Sequence, residues 1–154
     1  MNGSNQDRRF TNLFSREILN DMNQNDRLNK DKSRKRVGRV GEEIACTFLE
    51  RRGYKVIGRN YRRPWGEIDI IAERGGHVHF VEVKAISVSD FSREIGYRPE
   101  ELVDGRKLRK LARTAALYME TKGDNREFQL DVVGVLLNAS TRTARCRLFE
   151  QALE

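Results

Sequence analysis

Gly75-Gly76 sits between two runs that mix apolar and charged residues, Gly66-Glu67-Ile68-Asp69-Ile70-Ile71 and Phe80-Val81-Glu82-Val83-Lys84. A Gly-Gly pair between alternating runs signals a two-residue β-hairpin turn. Such a turn fixes the register. Arg74 faces His77, Ile71 faces Phe80, Asp69 faces Glu82 and Glu67 faces Lys84. Side chains alternate along a strand, so the last six of these point to one side. Ile68, Ile70, Val81 and Val83 mark the other side as buried.

That register carries a cost. Directly opposed residues have Cβ atoms about 4.5–5.5 Å apart. Two carboxylates at about 5 Å repel by roughly 3 kcal/mol at an effective dielectric of about 20. A bound divalent cation reverses the sign. Carboxylate oxygens, with water and phosphate in the remaining positions, suit Mg²⁺. Lys84, two residues after Glu82, adds positive charge beside them. Two acids, a lysine and a hard metal are the parts that phosphodiester hydrolysis needs.

The chain has 154 residues, so a single domain is expected. Its 30 Lys and Arg against 23 Asp and Glu give a net charge of +7, which points to a polyanionic partner such as nucleic acid. Two cysteines, Cys46 and Cys146, make neither a disulfide framework nor a zinc cluster, and suggest a reducing compartment. His77 and His79 share a strand face without cysteine partners and read as surface residues. No apolar run is long enough for a membrane span and no signal core opens the chain, so a cytoplasmic protein with no membrane partner is expected.

Residues 1–36 read as a basic, polar tail ahead of a domain at 37–154. Phe10, Phe14, Ile18 and Met22 recur at helical spacing, which predicts a short amphipathic helix there. A helix follows from about Val37 to Arg52, stopped by Gly53, with Val40, Ile44, Phe48 and Leu49 on its apolar stripe. Glu42 lies at the edge of that stripe, within reach of the sheet, and Glu43 points to solvent. Lys55–Tyr61 reads as a strand, 62–66 as a turn, and the hairpin supplies strands at about 67–73 and 77–86. Residues 87–103 read as a long loop. Asp104 caps a helix over 105–121. Arg106, Arg109, Lys110 and Arg113 cluster on its polar side, a surface for phosphates or a plain solvated face, and Lys107 stands at the border. Strands follow at 127–137 and 143–149. Asp131, a lone acid among apolar residues, predicts either a structural partner such as Arg or an approach to the active site.

The order helix, strand, hairpin, helix, strand, with Asp on one hairpin strand and Glu-x-Lys on the other, resembles the PD-(D/E)xK restriction-endonuclease-like nucleases. Gly38-Arg39-Val40-Gly41-Glu42, Leu49-Glu50-Arg51-Arg52-Gly53-Tyr54, Asn60, Gly66-Glu67-Ile68-Asp69, Phe80-Val81-Glu82-Val83-Lys84, Lys107 and Asp131-Val132-Val133 are similar, in order, to the motifs of the YraN family of small bacterial proteins. The likeness covers about residues 37–150. It implies an α/β fold, a restriction-endonuclease-like mixed β-sheet flanked by helices in the order α-β-β-β-α-β-β, grouped with Holliday-junction-resolvase-like nucleases. It implies a Mg²⁺ (or Mn²⁺) site built from Asp69, Glu82 and Glu42, with Lys84 as the fourth catalytic residue. Two departures stand out: Ile86 replaces a frequent Arg, and Gln129-Leu130 precedes Asp131 in place of Arg-Phe. Both remove positive charge near the cleft.

The expected function is therefore a Mg²⁺-dependent nuclease, with DNA favoured over RNA. Arg106, Lys107, Arg109, Lys110 and Arg113 are its expected nucleic-acid contacts, and a homodimer is one expected assembly. The alternative is a non-catalytic nucleic-acid-binding module on the same fold.

Overall fold

The computed structural model describes residues 8–11, 30–91 and 103–152. The chain order is β1 (Arg8–Thr11), α1 (Lys30–Arg51), β2 (Lys55–Arg63), β3 (Gly66–Arg74), β4 (His77–Ser87), α2 (Gly105–Lys122), β5 (Phe128–Asn138) and β6 (Thr143–Phe149). All strands join one mixed sheet in the order β1-β6-β5-β4-β3-β2. β4 and β5 run parallel, linked across α2, and the other neighbouring pairs are antiparallel. From α1 onward this is the expected α-β-β-β-α-β-β order.

The hairpin turn forms as its glycines dictate. Gly75 and Gly76 have φ of 59° and 78°, and Arg74 pairs with His77. Those angles suit the primed turns that match strand twist.

The sheet is covered on both faces. α1 lays Val40, Ile44, Phe48 and Leu49 on one, against Ile70, Val81 and Val133. α2 lays Leu111, Ala115 and Met119 on the other, against Ile68, Ile71 and Phe80. β5, central and covered twice, is buried without a break from Leu130 to Asn138, as an unalternating strand should be. α1 approaches so closely that a Cβ at Gly41 would lie 2.3 Å from that of Ala85.

Two differences from the sequence reading concern the start of the chain. α1 begins at Lys30, not Val37. Its first turns are polar and exposed, so they carry no apolar stripe to reveal them. Phe10, the first apolar residue of a predicted amphipathic helix, instead lies in a strand, Arg8–Thr11, that pairs with β6 and sets it opposite Ala144. Tertiary pairing there overrides local spacing. Phe14, Ile18 and Met22 lie outside the described residues, as does most of the predicted 87–103 loop.

His79 is buried, not on the surface. Its Nδ1 lies 2.7 Å from Asp131 Oδ2, and the Tyr54 ring meets it edge-on. Asp131 therefore serves structure, with a histidine in place of the expected arginine. Its other oxygen accepts from the Gln129 amide and the Gln151 backbone N–H. His77 stays exposed, 3.2 Å from Glu127.

Candidate active site

Three local devices bring the acids together. The first is a change of face in β3. Ile68 packs under α2 whereas Ile70 packs under α1, although residues two apart in a regular strand share a face. Asn60 stands between Arg59 and Tyr61, the partners of Ile70 and Ile68, and its φ is 49°. Asparagine is among the few side chains that tolerate this left-handed region. The expectation that Ile68 and Ile70 share a face fails at that kink, and Asp69 sits at the crossover.

The second device is an early end to the β3–β4 ladder. Pairing stops at Ile70–Val81 although both strands continue. The Val83 N–H donates instead to Asp69 Oδ2 at 2.8 Å. A carboxylate replaces the next ladder acceptor, so neither the expected Asp69–Glu82 pair nor the expected Glu67–Lys84 pair forms in the ladder. The gap between the strands is where the site lies.

The third is the start of α2. The Asp104 side chain accepts from the Lys107 backbone N–H at 2.9 Å and caps the helix. Gly66 packs so tightly on Thr114 that a Cβ would meet its hydroxyl at 2.1 Å. Capped and seated, α2 points Lys107 into the gap, where its ammonium pairs with Glu82 Oε1. A cavity of about 200 Å³ results, lined by Glu67, Asp69, Glu82, Lys107, Lys110 and Leu111.

The charges inside it are strongly coupled. Burial, then the charge of Glu82, pushes the Asp69 carboxyl up to about 7, against the Val83 N–H and Lys107, which pull it down. Glu82 is itself buried, with 7% of its side chain exposed. Burial and the Asp69 charge raise Glu42, while Asn60, Arg59 and Arg62 oppose the rise. Lys107 is raised: burial lowers it, but the hydrogen bond and charge of Glu82 outweigh that. Glu43 pairs with Arg59 at 2.9 Å on the surface.

The structure thus brings Asp69 and Glu82 together and puts Glu42 within electrostatic reach of Asp69. Lys84 is half-buried and lines a neighbouring cleft with α1. The lysine on the acids is Lys107, expected as a phosphate contact. Arg106, Arg109, Lys110 and Arg113 are exposed on α2, and Lys110 also lines the cavity. Sequence reasoning missed Glu67 as a lining residue and Asn60 as the kink. The signals for Asn60 were an asparagine inside a strand, where that residue is disfavoured, and its place among the motifs quoted above.

Residues 41–135 match the pattern of the Uncharacterised protein family UPF0102. The chain belongs to this family. A UPF0102 protein of Moorella thermoacetica is 40% identical over 121 residues, covering 78% of this chain and 97% of that protein. One from Symbiobacterium thermophilum is 43% identical over 119 residues, 77% of this chain and 96% of its own. One from Thermotoga neapolitana is 41% identical over 97 residues, 63% and 84% of the two chains. UPF0102 is the YraN family whose motifs the sequence resembles. Among the described residues, no UPF0102 helix here is long and apolar enough to cross a membrane.

The donor set can be tested against the implied cation. Among the described residues, no three His, Cys, Asp or Glu side chains gather as a ready-made metal cage. Mg²⁺ does not require one: it commonly takes one or two carboxylates and keeps several waters. Asp69 and Glu82, two hard oxygen donors lining one cavity, fit it, with Glu42 outside the lining but within electrostatic reach of Asp69.

Proposed function

We propose that this UPF0102 protein binds nucleic acid and hydrolyses phosphodiester bonds with Mg²⁺ or Mn²⁺ held by Asp69 and Glu82. The observation that carries the reading is the half-buried Asp69 beside the buried Glu82, in a cavity whose remaining charges are Glu67, Lys107 and Lys110. Two mutually repelling carboxyls kept in one pocket are costly to folding, and such placements mark functional sites. A cation bound there supplies polarisation of the phosphate and a water of lowered pKa. The protein's own groups do the rest. Asp69, fixed by the Val83 N–H, and Glu82, fixed by Lys107, hold their oxygens in place. Lys107, and Lys84 from the next cleft, set positive charge where phosphate oxygens gain negative charge during hydrolysis. Glu42 assists through Asp69 or a water. Lys110, Arg106, Arg109 and Arg113 hold the backbone of the nucleic acid without reading its sequence.

A second reading, a non-catalytic nucleic-acid-binding module, is favoured by one observation. The Lys107 ammonium already sits on Glu82 and partly answers its charge without a metal. Duplex, single-stranded, junction and RNA substrates incubated with Mg²⁺ or Mn²⁺ separate the two readings. The nuclease reading expects cleavage by the wild type and loss of cleavage in Asp69→Asn, with binding retained. Salt-sensitive binding without turnover on any substrate selects the module instead.

A further inference from the structure

Among the described residues, β4 has an open edge beside the carboxylate pair. Its ladder with β3 ends at Val81, while its ladder with β5 runs on to Ser87. Backbone groups alternate sides along a strand. The Val83 N–H turns toward β3, where Asp69 meets it, and the Val88 N–H turns toward β5, where it donates to the Leu137 carbonyl at 2.8 Å. The same alternation turns the N–H groups of Ala85 and Ser87 to the open edge.

A cleft of about 500 Å³ follows this edge, lined by Ser33, Arg34, Val37 and Gly38 of α1 and by β4 from Val83 to Ser87. Three properties of the cleft identify its occupant. Its charged lining is Arg34 and Lys84, with no carboxylate. Arginine, lysine and backbone N–H groups are the usual contacts of phosphates. The two sites share β4 but no lining residue: this cleft lies under α1 and the carboxylate cavity under α2, and Lys84 and Glu82 stand two residues or about 7 Å apart along that strand. Finally, the wall is kept low by Gly38, where a Cβ would meet nothing within 4 Å.

We propose that this cleft binds the stretch of nucleic-acid strand adjoining the phosphodiester that is cut. Arg34, Lys84 and the edge N–H groups take its phosphates, and Val37 and Ile86 line its sugars. The inference rests on the nucleic-acid reading above. A peptide strand would also match an open β-edge, but a cleft whose charged lining residues, Arg34 and Lys84, are both cationic favours the polyanion.

Gly38 supplies the test. It lies inside α1 with helical backbone, so Gly38→Leu raises helix propensity by roughly 0.5–1 kcal/mol while filling the cleft. Gly38→Ala adds only a methyl to open space. A fluorescent 20-nucleotide single strand and its duplex, titrated by anisotropy in Ca²⁺, serve as probes. Gly38→Leu and Arg34→Gln should each weaken binding about tenfold, and Arg34→Gln should lower the salt slope by about one contact. Gly38→Ala should weaken binding less than Gly38→Leu, and all three should melt at or near the wild-type temperature. Wild-type affinity in a folded Gly38→Leu overturns the cleft and leaves the nuclease reading standing. A wild type that neither binds nor cuts any nucleic acid overturns both.

Discussion

At the scale of single residues, Asp69 makes the folded state pH-dependent. Burial and the Glu82 charge push its carboxyl up to about 7 in the folded protein, against about 3.9 in an unfolded chain. Between those values the folded state keeps a proton that the unfolded chain has lost. Stability therefore falls as pH rises through about 4 to 7, and the cost persists above that window. In metal-free protein, Asp69→Asn should flatten this slope and melt higher than wild type at about pH 8. Thermal unfolding of both proteins across that range is the check, and parallel curves would contradict the assignment. Lys107 provides a second residue-level prediction. Its loss should slow cleavage by about 10²-fold, the scale of one removed electrostatic stabiliser. A Lys107→Ala rate equal to wild type would move that role to Lys84. The lysine's part was hidden in the sequence because it depends on where α2 lands. The nearness of the acids was legible, because a two-residue turn is local chemistry and sets the register up to Ile70–Val81, but the break in the ladder just before Asp69 and Glu82 was not.

At the scale of elements, the packing of α1 on β4 is set by Gly41 and Ala85. Gly41→Ala should destabilise the fold by about 1–3 kcal/mol through overpacking. Adding Ala85→Gly should restore much of the loss, since the clash is between those two Cβ atoms. Urea unfolding midpoints of the single and double variants decide it. No rescue would mean that the helix is held by something else. The apolar stripes of α1 and α2 and the unalternating β5 were readable for a common reason: burial repeats with the period of the element. The first seven residues of α1 were not, because exposed Lys and Arg form helix without any periodic mark. The kink at Asn60 was not either. It is a single-residue change of φ that alters which face the following residues take.

At the scale of the whole molecule, long-range pairing is what the sequence conceals. The His79–Asp131 pair spans 52 residues, and through Asp131 it also holds the chain at Gln151. Asp131→Ala removes three hydrogen-bonded partners from a fully buried site, and should cost about 3–5 kcal/mol. Its denaturant midpoint should fall accordingly, and a shift within error of wild type would show the network to be dispensable. The same architecture puts this network and the carboxylate pair at different places along β4, so the loss should lower stability without changing which groups meet at the cavity. The claim on which the functional account turns is that Asp69 and Glu82 together hold one divalent cation. Calorimetric titration of Mn²⁺ into wild type, Asp69→Asn and Glu82→Gln measures it most directly. The account predicts a single site in the wild type that is lost in both folded variants. Equal affinity in all three proteins, or no binding to the wild type, would contradict it.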